Sequence, residues 1–347
     1  MSLTTIHDRR ALLTALIGSA CAIDMGGTAL ANDKPKARAQ RFSPERSMIP
    51  FVDAHIHLWD LKHIRYDWLS SPFSDDGPNG SVEPIAHDYG IAQYRADLAR
   101  WNVVGAVHVD AGAAADSALR ETQWLDGLAQ IEGLPTGFVA FAALNDPDVD
   151  ALLAAQAAHP RVKGIRHIVN WHPDPRRSYT PADLTVDPIW QAGYVLLAKH
   201  GLSFDLQCYP GQMPGLAALI ARHPDIPVII NHMGMPVLTD PDGLDDWRRG
   251  MKALAALPHV AVKLSGMGFI RRDWTRETIE PLVREAIDLF GVERCAFASD
   301  TPTDKLFGPI DRYMEAYHAI VADFAQADRR SLFAGNANRL YRLGLDL

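Results

Sequence analysis

Phe51-Val52-Asp53-Ala54-His55-Ile56-His57-Leu58-Trp59-Asp60 opens apolar and closes on two histidines one residue apart. Side chains alternate faces along a strand. A strand here therefore places Asp53, His55 and His57 on one face and Val52, Ala54 and Ile56 on the other. Two histidines on a half-buried strand are often simply structural. On the first strand of a closed barrel, however, both imidazoles point into its mouth, where a metal ion or a substrate carbonyl meets them. The rest of the chain decides between these readings.

Downstream, strand-like runs alternate with helical ones. The runs 103–110, 136–142 and 162–168 precede helical patterns at 116–131, 148–158 and 187–200. The runs 203–207, 228–232, 260–265 and 295–300 precede 213–222, 244–257, 277–290 and 310–324. Strict alternation implies a parallel sheet, and this many units suits an α/β fold of the (β/α)8 TIM-barrel type. No Gly-rich phosphate turn follows an early strand, which argues against an open dinucleotide-binding sheet. One barrel domain over residues 50–347 is expected. The stretch 61–89, rich in Pro, Gly, Ser and Asp, is long enough to be functional and overhangs the mouth.

In such a barrel the active site lies at the C-terminal strand ends. Those ends offer His55 and His57, His108 and Asp110, Arg166 and His167, Asp205 and Gln207, His232, Ser265 and Asp300. Several histidines and a carboxylate on one rim point to chemistry rather than packing. Asp53, Asp205 and Lys263 fall deeper and read as a paired ionic layer in the floor, because buried charges need partners. Trp59, Trp68, Trp171 and Tyr209 lie in or near mouth loops, where a ring can stack on substrate.

Together these motifs resemble the amidohydrolase superfamily, in the branch of lactonases of sugar acids and of 2-pyrone-4,6-dicarboxylate. The matching segments begin with Val52-Asp53-Ala54-His55-Ile56-His57-Leu58-Trp59 and Lys163-Gly164-Ile165-Arg166-His167. Asn231-His232-Met233-Gly234, Val262-Lys263-Leu264-Ser265-Gly266 and Ala298-Ser299-Asp300-Thr301-Pro302 follow, with Gly335-Asn336-Ala337-Asn338-Arg339 near the end.

The resemblance implies a hydrolase opening a small carboxylated or polyhydroxylated lactone. Asp300 is its expected base and His232 the holder of the attacking water, with His55 and His57 as hydrogen-bond donors to the oxyanion. Arg166, His167, Gln207, Tyr209 and Trp59 are the expected substrate contacts. Metal-dependent members usually add a fourth-strand Lys or Glu, or a fifth-strand His. Here those strands end in Arg166-His167 and Asp205-Leu206-Gln207, and Arg does not deprotonate to become a ligand. A metal-free site is therefore expected, the alternative being a single Zn²⁺ on His55, His57 and Asp300 with one position open. A lactone isomerase, or a zinc-dependent hydrolase or decarboxylase of the same superfamily, is the competing reading.

The chain's formal charge is −8. A basic stretch at 32–49 carries five basic and two acidic side chains, which leaves the body from Pro50 at −11. That balance excludes nucleic acid and anionic membrane as partners. Arg9-Arg10, an apolar run to Ile23 and Ala29-Leu30-Ala31 resemble a twin-arginine export signal over residues 1–31. A flexible linker, 32–49, follows, and the protein is expected to be periplasmic or secreted, with no membrane anchor. Self-association is left open. Cys208 and Cys295 lie in apolar surroundings and read as inert thiols.

Overall fold

The computed structural model describes residues 48–347. Residues 1–31, expected to be an export signal, and all but the last two residues of 32–49, expected to be a linker, lie outside the described residues. Eight parallel strands stand side by side in chain order. They are β1 (Phe51–Ile56), β2 (Val103–Val109), β3 (Gly137–Phe141), β4 (Val162–Arg166), β5 (Ser203–Leu206), β6 (Val228–Ile230), β7 (Val260–Leu264) and β8 (Cys295–Phe297). The intervening helices are α1 (Ile91–Asp97), α2 (Ala118–Glu132), α3 (Val149–Ala157), α4 (Pro188–Lys199), α5 (Met213–Ile220), α6 (Gly243–Ala255), α7 (Arg276–Phe290) and α8 (Ile310–Ile320). The arrangement is a nearly closed (β/α)8 barrel.

Side-chain pattern explains each layer. Helix α7 buries Ile279, Leu282, Val283, Ala286, Ile287 and Phe290, an i, i+3, i+4, i+7 stripe that faces the strands. Helix α4 starts where the Asp187 carboxylate accepts from the Ile189 N–H at 2.9 Å with Pro188 in the first turn, a capping arrangement that satisfies an otherwise orphaned donor. Inside the barrel, Val52, Ala54, Val107, Val109, Val139, Ile229, Ala261, Ala296 and Ala298 form one cluster. Residues from six strands can meet in this way only around the barrel axis.

That cluster corrects the face assignment for β1. Val52 and Ala54 point inward, whereas Asp53 turns outward, where its carboxylate accepts from Tyr94 Oη (3.1 Å) and the Ser299 N–H (2.9 Å). The register slips between Asp53 and Ile56 against β2. Such a bulge changes the phase of alternation and brings His55 and His57 to the inside. Asp53 therefore does not join the floor pair. Lys263 and Asp205 do, at 2.5 Å and fully buried, with Tyr341 Oη donating to the same carboxylate at 2.8 Å.

The seam between β8 and β1 lacks a continuous ladder. It is stitched instead by the Asp300 N–H to His55 O (2.9 Å) and the His57 N–H to Thr301 O (2.8 Å). These bonds fix the ends of the first and last strands side by side, and with them the residues that carry the chemistry.

Candidate active site

Stitching β1 to β8 leaves His55, His57 and Asp300 no choice but to converge. His55 Nε2 lies 3.2 Å from His57 Nε2, and Asp300 Oδ1 lies 3.5 and 3.4 Å from the two nitrogens. His232 completes the group, its ring centroid 4.7 Å from that of His55. Asp300 and His232 both hold positive φ, +52° and +51°, a strained conformation for residues other than glycine that costs about 1–3 kcal/mol each. His232 fits because Gly266, at φ +70°, carries no Cβ; one there would lie 2.7 Å from His232 Nδ1. That nitrogen instead pairs with Ser265 Oγ at 3.1 Å.

The electrostatics follow from burial. Asp300 is fully buried and neither of its oxygens has a hydrogen-bond partner among the described residues. Burial raises its pKa, opposed by the neighbouring His232, Arg166 and Lys263. An unpartnered buried carboxylate is costly and calls for a proton, a water or a cation. His232 is pushed down to about 4 by burial. His55 and His57 are likewise lowered well below the usual imidazole range, by burial first and then by Lys263 and Arg166 respectively. All three imidazoles are neutral at pH 7.

The donor atoms of His55, His57 and Asp300 fit a metal ion. They lie within 4.8 Å of one another and are the single group of this kind among the described residues. Zinc with bonds of about 2.1 Å in a tetrahedron sets its ligands about 3.4 Å apart, which matches the observed triangle. His57 Nδ1 donates to Val109 O at 2.7 Å, the outer bond typical of a ligating imidazole. With that proton on Nδ1, a neutral His57 has only a lone pair at Nε2. It therefore accepts or ligates, and the oxyanion-donor role expected for it does not fit. His55 differs, because its Nδ1 faces Lys263 Nζ at 3.4 Å. An ammonium there favours the hydrogen on Nε2 while no cation is bound, and ligation of a metal ion by His55 would displace that hydrogen.

Arg166 reaches the same cavity, fixed by Nε to Asp110 Oδ2 (3.0 Å) and Nη1 to Gln207 Oε1 (3.0 Å). The cavity holds about 240 Å³ and is lined by His57, Arg166, Gln207, His232 and Asp300, with Trp68 and Asn79 from the 61–89 loop. Three expected contacts lie elsewhere. His167 points away from the axis, its Nδ1 accepting from the Leu144 N–H (3.1 Å) and Trp190 Nε1 (3.2 Å). Trp59 is buried behind Trp68, ring centroids 5.6 Å apart. Tyr209 lines a neighbouring cavity. Conversely, Tyr179 lines the inner cavity and donates to Asn79 Oδ1 at 2.6 Å. Sequence reasoning missed this pair, because it forms between two irregular loops that carry no periodic signal.

Residues 52–343 match the family described as Amidohydrolase. The chain belongs to this family. An uncharacterised protein, y4mH, of Sinorhizobium fredii is 40% identical to this amidohydrolase over 86% of the chain and 100% of its own length. An L-fucono-1,5-lactonase of Burkholderia ambifaria is 27% identical, covering 84% of this chain and 95% of its own. The crystal structure of an amidohydrolase from Burkholderia multivorans with bound zinc superposes with a TM-score of 0.69. It is 27% identical and covers 84% of this chain and 99% of that one. This chain is accordingly an enzyme of the amidohydrolase superfamily.

Proposed function

We propose that this amidohydrolase opens the ring of a small lactone by water attack on the ester carbonyl. The observation that carries the reading is the Asp300 carboxylate. It is buried and unpartnered, facing two imidazoles beside a fixed guanidinium, and the relatives named as L-fucono-1,5-lactonases support it. Asp300, whose Oδ1 faces His55 and His57, takes the proton of the attacking water through Oδ2. His232, held through Nδ1 by Ser265, keeps Nε2 for that water and, being neutral at pH 7, relays the proton onward. Arg166 presents a permanent charge to the developing oxyanion or to a substrate carboxylate.

His55, His57 and Asp300 are the residues that would hold one Zn²⁺. When bound, the ion lowers the pKa of water and polarises the carbonyl. The donor triangle and the tautomer of His57 move the balance toward this metal-assisted form, as does the zinc in the B. multivorans structure. The reading is tested with a panel of sugar-acid lactones and a pH indicator, the product identified by NMR. Release of the open acid supports hydrolysis, and a second lactone as product supports an isomerase instead.

Residues 1–31 are proposed as a twin-arginine-type export signal and 32–49 as a linker, with the barrel, residues 50–347, periplasmic or secreted. The basis is the sequence pattern of Arg9-Arg10 and Ala29-Leu30-Ala31.

A further inference from the structure

A second, larger cavity of about 580 Å³ adjoins the reaction cavity, and Tyr179, Met235 and Phe269 line both. The inner space of about 240 Å³ equals about eight water volumes, room for a single lactone ring and its attacking water. The outer space is more than a bare ring requires. Three arginines line it. Arg271 is neutralised by Asp273 at 2.8 Å, and Arg177 by Asp240 at 2.9 Å. Arg272 has no carboxylate partner among the described residues. It stacks over Phe307, 5.5 Å from the ring centroid, and lies against Gly80, where a Cβ would meet its Nη2 at 2.8 Å. A guanidinium pinned between a ring and a loop backbone keeps its direction but has donors to spare. Apart from Thr239 and Asp273, the latter paired with Arg271, the rest of the outer wall is aromatic and aliphatic, and the body around it carries a net negative charge. An anion therefore finds its attraction locally, at this arginine and at Arg166.

We propose that the substrate spans both chambers. Its lactone ring lies in the inner one, and a second anionic group, a carboxylate or a phosphate at the end remote from the reacting carbonyl, lies in the outer one against Arg272. The proposal rests on the lactonase reading for the ring, but its anion subsite can be tested without turnover. Calorimetry compares three stable open-chain acids, D-gluconate, D-glucarate and 6-phospho-D-gluconate, on the wild type, R272Q and R272K. Wild type is expected to bind at least one of the doubly anionic acids about tenfold more tightly than gluconate. The preference of glucarate over phosphogluconate, or the reverse, separates carboxylate from phosphate. R272Q is expected to reduce the preference to about twofold or less, and R272K, which keeps the charge without the fork, to retain part of it. Equal affinity for the three acids, binding of none of them, or an undiminished preference in R272Q overturns the proposal. Lactone opening without the preference would overturn this inference alone. The preference without any lactone opening would overturn the lactonase reading and leave the subsite standing.

Discussion

His57 decides between two chemistries by the placement of one proton. Its Nδ1–H is committed to Val109 O at 2.7 Å, so Nε2 offers a lone pair, which a divalent cation uses and an oxyanion does not. The chain is therefore expected to bind one zinc per molecule, and His57→Ala to lose it, as read by metal analysis after dialysis against zinc and then buffer. Wild type that emerges without zinc contradicts this. Arg166 is a second case in which one side chain cannot be exchanged for its like. It spans Asp110 and Gln207 as only a planar fork can. Arg166→Lys is expected to lower kcat/KM by about 10–100-fold with unfolding temperature little changed. A variant within about twofold of wild type would remove Arg166 from the reaction.

At the level of elements, two joints position the site. The first is the β8–β1 seam, where Asp53, fully buried, has its pKa raised from 3.8 to about 6 by desolvation, against the pull of its hydrogen bonds. Between those values the unfolded chain ionises and the folded one does not, so stability falls as pH rises from about 4 to about 6 and then levels. The loss is on the order of 3 kcal/mol. Asp53→Asn, which keeps an acceptor for the N–H groups, lacks that loss. Its melting temperature should gain on wild type across this window, whereas parallel curves would show that Asp53 stays ionised. The second joint is the turn after β7. Gly266→Ala is expected to displace His232 and lower kcat by about 10–100-fold while circular dichroism stays native; unchanged kcat would show that His232 is dispensable. The sequence made all eight strands and their helices legible, because apolar runs of strand length alternate with amphipathic runs of helical length. The bulge in β1 was not legible, since a one-residue slip leaves no mark on composition. Hence Asp53 was expected on the wrong face.

Over the whole molecule, the motif ends that converge were readable because a barrel brings the ends of all its strands to one rim. His55, His57, His232, Arg166, Gln207 and Asp300 meet there. His167 and Trp59 resemble site residues in sequence but are one position out of phase or one layer behind, which only coordinates reveal. The loop contacts of Tyr179 and Asn79, and the second chamber, depend on how irregular segments fold over one another. For the segment preceding the barrel, protein recovered from the periplasm is expected to begin at Asn32, by N-terminal sequencing; an intact Met1 would refute cleavage. The proposed chemistry depends on the Asp300 carboxylate in the reaction cavity. Asparagine tolerates the left-handed backbone found at position 300, so Asp300→Asn should fold as wild type does. Its rate of lactone opening, on whichever lactone the wild type opens, is predicted to fall to about 1% or less. Retention of more than about a tenth of the wild-type rate would contradict the account.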